Sequence, residues 1–286
     1  MDKRICPCLY ASNWGDLNMY SIDKYHFKEF KIAPGHRANY AVLSNAEFKE
    51  NQWGMKYSPA NNYSREYKIL PLFSHAQIPV RFKEGNAMMY KEGKSVIAQN
   101  YLVITHFEGV DIVEYYQKRG LPDQDEMKRV IQYFSSATVP LHHMHSKGYI
   151  HSDIKPGHLI LNSQAGTMAL IDLECTIKIG EIICGMSKEY ASPEQKQMIR
   201  MLRDGEEEKS VLKKVKMNAS SDLYSVGLIF YRVMTGKLWQ EANINPQEIN
   251  KAIPDKLNRV LLGLLEENSA NRIPSAEAFK AELEAV

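Results

Sequence analysis

Most of the chemistry available to this 286-residue sequence sits in two short segments, Ile150-His151-Ser152-Asp153-Ile154-Lys155-Pro156-Gly157-His158 and Leu170-Ile171-Asp172-Leu173-Glu174. Asp153 and Lys155 stand two apart beside Pro156, so along an extended loop their side chains point the same way. That pairs a carboxylate able to take a proton with an ammonium able to neutralise an anion. Asp172 ends the apolar run Met168 to Ile171 and offers the hard oxygen that a divalent cation prefers. Glu174 adds a second carboxylate two residues on, to bind metal or to face solvent. An Asp-x-Lys pair alone is an ordinary surface feature, but the apolar run Leu159 to Leu161 that follows places this one beside a core. His142, His143, His145 and His151 do not make a metal set: only His142 and His145 share helical spacing, and no carboxylate or cysteine completes them.

The elements that must hold these residues change character near residue 109. Before it come short aromatic and β-branched runs, Tyr25 to Ile32, Tyr40 to Leu43 and Tyr101 to Phe107, which predict antiparallel strands. After it the period is helical. Met127, Val130, Ile131, Phe134, Ala137, Thr138 and Leu141 mark a long helix ending near Gly148, and others are expected over 222–234, stopped by Gly236, and over 257–267. A last one starts after Pro274-Ser275. Strands first and helices later predict an α+β chain of two lobes of different class. With 44% hydrophobic and 24% charged residues, disorder is excluded. Lys and Arg total 36 against 34 acidic residues, so net charge gives no reason to expect nucleic acid. Cys6, Cys8, Cys175 and Cys184 are too few and too irregular for a disulfide framework, which suits a reducing, cytosolic setting. No stretch approaches the roughly 18 apolar residues that span a bilayer.

Together with Tyr190-Ala191-Ser192-Pro193-Glu194, the two opening segments resemble, in order, the HRDxKxxN, DFG and APE signatures of the eukaryotic-type protein kinase superfamily. The resemblance implies a two-lobed protein kinase-like fold, with a five-stranded antiparallel β N-lobe over 25–108, a helical C-lobe over 109–286 and an N-terminal extension over 1–24. It implies ATP and Mg²⁺ or Mn²⁺ as cofactors. Asp153 becomes the residue that orients the attacking hydroxyl, Lys155 the cation beside the transferring phosphoryl group, and Asp172 the metal ligand. His158 stands where the family's second metal ligand, an Asn, belongs, and its imidazole suits Mn²⁺ or Zn²⁺ better than Mg²⁺. The alternative is that His158 packs under the loop and the site works with one metal. Glu174 replaces the DFG glycine. Asp222-Leu223-Tyr224-Ser225-Val226-Gly227 resembles the buried helix start whose carboxylate caps the loop backbone. Arg272 matches the arginine that pairs with Glu194.

By the same resemblance, Trp53-Gly54-Met55-Lys56 ends strand three, and Arg65-Glu66 opens the αC region, so Lys56 would contact the α- and β-phosphates while paired with Glu66. Lys49 competes for that place. Gly35, Arg37 and Tyr40 fall at the three glycines of the phosphate-covering loop, which is therefore degraded, with Arg37 available to offer its guanidinium to a phosphate. The other reading makes 33–42 a hairpin that never touches nucleotide. Ile104 becomes the gatekeeper, and Thr105, His106 and Phe107 the hinge whose backbone bonds adenine.

The resemblance thus implies an atypical Ser/Thr protein kinase, a monomer acting on a protein. Small size, the missing glycine loop and Ser152 in place of the motif arginine make it similar to effector kinases that bacteria inject into a host cytosol. Ser152 argues against control by a phosphorylated activation loop. The stretch 195–217 is longer than usual and rich in Lys213, Lys214 and Lys216, so it is either a solvated helix or a site for a polyanion such as an inositol phosphate. Two other functions fit: a pseudokinase that only binds, or a kinase-fold transferase that uses another acceptor or transfers AMP.

Overall fold

The computed structural model describes residues 20–27, 30–31, 39–43, 53–60, 63–91 and 93–286. Their contacts fall into two compact units.

The first unit comprises the described residues up to Leu72 together with Pro79–Phe107. Its seven-stranded antiparallel sheet contains β1 (Tyr20–Ile22), β2 (Tyr25–Phe27), β3 (Phe30–Lys31), β4 (Asn39–Val42), β5 (Trp53–Ser58), β6 (Arg81–Lys91) and β7 (Lys94–Thr105), in spatial order β2-β1-β6-β7-β5-β4-β3. Period-two alternation gives the sheet two faces. Ile22, Tyr25, Phe27, Ala41, Leu43, Met55, Tyr57, Tyr101 and Val103 close one as an apolar core. Register puts Tyr40 opposite Lys56, Val42 opposite Gly54, Lys56 opposite Leu102 and Gly54 opposite Ile104, so these residues share the other face. Against the sheet lies α1 (Ser64–Ile69), one short helix continued by a 3₁₀ turn at Leu70–Leu72. Arg81 fixes it to β6, its guanidinium 4.0 Å over the Tyr67 ring and donating to the Tyr67 carbonyl at 2.8 Å.

The second unit is Phe73–Ile78 with Glu108–Val286. It contains β8 (Val110–Asp111), α2 (Ile112–Arg119), α3 (Gln124–Ser146), β9 (Tyr149–Ile150), β10 (Leu159–Asn162), β11 (Thr167–Leu170), β12 (Ile177–Lys178), α4 (Pro193–Arg203), α5 (Glu208–Lys214), α6 (Ala219–Thr235), two single turns α7 (Trp239–Ala242) and α8 (Pro246–Ile249), α9 (Asp255–Leu264) and α10 (Ala276–Glu284). From Leu223 on, α6 is largely apolar around its circumference, and the helix is buried almost throughout. Asn218 starts it with a capping box, Gly236 stops it in the left-handed conformation, and Phe230 stacks on Phe134 of α3 at 3.9 Å.

Among the described residues, two boundaries differ from the sequence expectations. The sheet has seven strands rather than five, and β1 begins at Tyr20 inside the expected extension, because Tyr20–Ile22 pairs with Met89–Lys91 of β6. Phe73–Ile78 belongs to the helical unit. Phe73 packs edge-on against Tyr149, and Gln77 donates to Ser136 and to the Met168 carbonyl while its own carbonyl accepts from Leu170. The basic stretch packs its apolar residues Met198, Met201, Val211, Val215 and Met217 into a core with Ile150, Ile177 and Ile183, while Lys213, Lys214 and Lys216 are exposed.

Candidate active site

In the sheet unit the side chain of Lys56 is 11% exposed and that of Glu66 not at all. The Lys56 ammonium donates to both Glu66 oxygens, at 3.0 and 2.8 Å. β5 supplies the lysine and α1 the carboxylate, and a forked contact of this kind survives burial only because both charges are answered. On the same face Tyr40 hydrogen-bonds His106 Nδ1 at 3.0 Å. Burial pushes its phenol far above the ordinary value, with the Lys56 ammonium acting the other way. Its ring covers Gly54, where any Cβ would collide with the Tyr40 hydroxyl. Ile104 is buried near the end of β7, and Thr105 is tied to Val80 through its backbone N–H. Phe107 is half-buried at the end of the unit. Gly35, Arg37 and Lys49 lie outside the described residues.

In the helical unit, β9 ends at Ile150 and the chain turns through His151, Ser152 and Asp153 before a 3₁₀ turn at Pro156–His158. Asp222, at the start of α6, accepts from the backbone N–H groups of His151 at 2.8 Å and Ser152 at 2.9 Å, and bonds His145 at 2.9 Å. Burial drives the Asp222 carboxyl upward, but the His145 contact and the backbone donors outweigh it and hold the group below its ordinary value. Ser152 has a left-handed φ of 61°, uncommon for a residue with a side chain. Three bonds hold it there: the one to Asp222, its hydroxyl to the Cys175 carbonyl at 2.9 Å, and its carbonyl to the Gln195 amide at 2.5 Å.

These contacts aim Asp153. One of its oxygens, Oδ2, stands 3.8 Å from the Lys155 ammonium and 4.0 Å from His158 Nδ1. The other, Oδ1, is buried with no hydrogen-bond partner among the described residues. An acceptor left in that state costs about 1–3 kcal/mol and marks a place where a donor belongs. His158 is buried, and its Nδ1 lies 2.7 Å from the Asp153 carbonyl oxygen, which only accepts, so the proton is on Nδ1. Nε2 then faces Asp172 Oδ2 at 3.1 Å. Two donors each about 2.1 Å from one octahedral ion, at right angles, would stand about 3 Å apart, so the pair fits a shared divalent cation. Asp172 is also left-handed, at φ 65°, which aspartate tolerates better than most residues.

Glu174 is half-buried in the turn Leu173–Cys175, and no hydrogen bond or ion pair joins it to Asp172 or His158 among the described residues. Nor do those residues hold any metal-binding cluster of three or more His, Cys, Asp or Glu. Of the three residues, the structure brings Asp172 and His158 together and leaves Glu174 apart from them. Arg272 pairs with Glu194 at 2.9 Å and also donates to the Ser220 carbonyl. Sequence reasoning missed Gln195, whose side chain bridges Ser192 to Ser152, and the Tyr40–His106 contact. Ser192-x-x-Gln195 has the spacing of a capping box, but the reach of Gln195 to Ser152 and the Tyr40–His106 contact have no local signature, because each depends on a partner far along the chain.

His151 is fully buried. Its Nε2 lies 3.0 Å from the Ile171 carbonyl and its Nδ1 accepts from Asp153 N–H, the pattern of a neutral ring. Desolvation and the neighbouring His158 lower its pKa. A histidine with a folded pKa below its unfolded value contributes stability above about pH 6.5 and loses it as pH falls from there. Asp222 acts the same way at lower pH, losing its contribution as pH falls below about 4. Urea melts between pH 8 and 3.5 are thus expected to show stability falling in two stages, with the upper stage absent in His151→Phe.

Residues 42–283 match the family model for a protein kinase domain. Among relatives, a probable serine/threonine-protein kinase of Clostridium acetobutylicum is 27% identical over 64% of this chain and 28% of its own length. The serine/threonine-protein kinase PksC of Streptomyces coelicolor is 23% identical over 80% of this chain and 41% of its own. Human ULK1 is 24% identical over 91% and 25%. The chain spans between a quarter and about two-fifths of these relatives. The kinase domain of Mycobacterium tuberculosis PknI superposes with a TM-score of 0.63 at 16% identity, covering 93% of this chain and 96% of that one.

Proposed function

This chain belongs to the protein kinase family, and on that premise we propose that it transfers the γ-phosphoryl group of ATP to serine or threonine of a protein. The observation that carries the reading is Asp153 Oδ1, a buried acceptor lacking a partner on the loop that also presents Lys155. In this reading Oδ1 takes the hydrogen bond of the attacking hydroxyl and then its proton, while Lys155 neutralises charge on the phosphoryl group in transit. Lys56, held by Glu66, positions the α- and β-phosphates. Asp172 and His158 would hold a divalent cation, which when bound would neutralise phosphate charge. Imidazole among the ligands favours Mn²⁺ over Mg²⁺. Gly35 and Arg37 would cover the phosphates and residues 104–107 would receive the base.

The setting we propose is a cytosol, bacterial or that of a host, and the active form is a monomer. No helix among the described residues is long and apolar enough to cross a membrane. A polyanion is the proposed partner of the basic stretch. Lys213, Lys214 and Lys216 line a cavity of about 530 Å³ there, together with Glu194 and Glu267. Lys214 is tied to Glu206 at 2.6 Å, so Lys213 and Lys216 are the cations on offer.

Incubation with γ-labelled or α-labelled ATP, Mg²⁺ or Mn²⁺ and a cell extract, beside Asp172→Ala, tests the reading. Expected is γ-label on serine or threonine, strongest with Mn²⁺, and none from the variant. Only α-label would mean AMP transfer, and no label above the variant would leave a binding module. Inositol hexakisphosphate is expected to raise the rate of the wild type and not of Lys213→Ala/Lys216→Ala; an equal response in both would dismiss the partner.

A further inference from the structure

Arg232 lies outside the proposed chemistry, and its setting is unlike that of its neighbours on α6. Every residue of that helix from Ser220 to Thr235 is buried except this one, which is half-buried. A helix otherwise sealed in the core thus brings a single cation to the surface. Its guanidinium donates to the Tyr190 hydroxyl, and no carboxylate forms an ion pair with it among the described residues. Burial pushes the Asp111 carboxyl up and the Arg232 charge works against the rise, yet that carboxylate is engaged elsewhere, accepting from the backbone N–H groups of Val113 at 2.7 Å and Glu114 at 3.2 Å. A guanidinium carries five N–H donors in a fixed fork, so one phenol leaves most of them to solvent or to a ligand. Tyr190 adds a further donor. Its oxygen accepts from Arg232 and has no other partner among the described residues, which leaves its own proton to give.

Hydrogen bonds tie this pair to the loop that carries Asp153. Tyr190 N–H donates to the Ser187 carbonyl at 2.9 Å. Two residues on, Ser192 N–H donates to the Gln195 side chain at 2.9 Å, and the amide of Gln195 holds the carbonyl of Ser152, the residue before Asp153. Gln240 secures the same segment, donating to the Glu189 carbonyl at 2.7 Å. α2, which packs on α6, also packs on the turn Pro156–His158 that follows Lys155. We propose that Arg232 and Tyr190 form a subsite for an anionic side chain of the protein substrate, the carboxylate of Asp or Glu or the phosphate of a residue already phosphorylated, lying close in sequence to the Ser or Thr that is modified. The proposal rests on the protein kinase reading and names its substrate class. The guanidinium fork matches two oxygens of either anion, and the phenol donates alongside. Half-burial keeps the charge less screened than that of an exposed arginine, so an anion gains more here than at an ordinary surface site.

The test uses the full chain and peptides with one acceptor Ser, carrying Glu, phosphoserine, Gln or Lys at each nearby position in turn. Transfer is assayed on these, and binding by fluorescence anisotropy on counterparts whose acceptor is Ala. Expected at one position is a kcat/KM about tenfold or more higher with an anion than with Gln, expressed in KM and shrinking as salt is added. The Ala counterparts should bind in the same order. Arg232→Gln, whose amide can still donate to Tyr190, should level Glu, phosphoserine and Gln. Arg232→Glu should favour Lys at that position, a gain that loss of structure does not produce. A gain from Glu alone or from phosphoserine alone keeps the subsite and identifies its ligand. No preference for an anion, or one that Arg232→Gln retains, overturns it. Binding is read without transfer, so failure of the proposed function and failure of this subsite are distinguished.

Discussion

Asp172→Asn is expected to lower turnover by at least about 10²–10³, the scale on which a removed charge-stabilising group is felt, while the melting temperature stays close to that of the wild type. The split follows from geometry. Asparagine adopts the left-handed backbone found at Asp172 as readily as aspartate, so the turn into Leu173 is kept. What goes is the negative oxygen 3.1 Å from His158 Nε2, and with it the anionic half of the donor pair. His158→Asn is the informative companion, since an amide can still donate to the Asp153 carbonyl. It should shift the metal preference from Mn²⁺ toward Mg²⁺ and cost far less rate. If Asp172→Asn retained turnover within a few-fold of wild type, the metal would have to be held elsewhere.

Glu66→Ala is expected to be the most destabilising single change in the sheet unit, costing about 3–5 kcal/mol, because it removes both carboxylate oxygens that answer the nearly buried ammonium of Lys56. Lys56→Met should also destabilise, through a Glu66 carboxyl that has no exposure and must then find a proton. The double variant Lys56→Met/Glu66→Leu replaces both charges with apolar groups of similar bulk and should recover most of the loss. Transfer, however, should be lost in all three. Denaturant melts supply the stability cycle and labelled ATP supplies the rate. Activity returning along with stability in the double variant would remove Lys56 from its proposed role and leave the pair a structural device.

The helical unit was the more legible in sequence. Met127 to Leu141 repeat at helical spacing, Gly236 and Ser275 mark ends by their own conformational preferences, and Asp153, Lys155, Asp172 and Asp222 lie in segments that local spacing picks out. The sheet unit was harder to read. Strand pairing is non-local, so nothing near Tyr20 announces that it pairs with Lys91, 71 positions away. Glu174 illustrates another limit: proximity to Asp172 along the chain did not bring its carboxylate to the pair, because a 3₁₀ turn sends neighbouring side chains in different directions. The bond of Gln195 to Ser152 was invisible for the opposite reason, since the two lie 43 positions apart.

The bonds around Ser152 have a further consequence for how the protein responds to its medium. An arginine gripping a phosphate is an exposed ion pair, weakened as ionic strength rises. Ser152 is instead held by a hydroxyl, an amide and a carboxylate that is itself buried, out of reach of mobile ions. Added salt should therefore leave the order of this loop unchanged, so that any salt dependence of the reaction reports on substrate encounter rather than on the readiness of the catalyst.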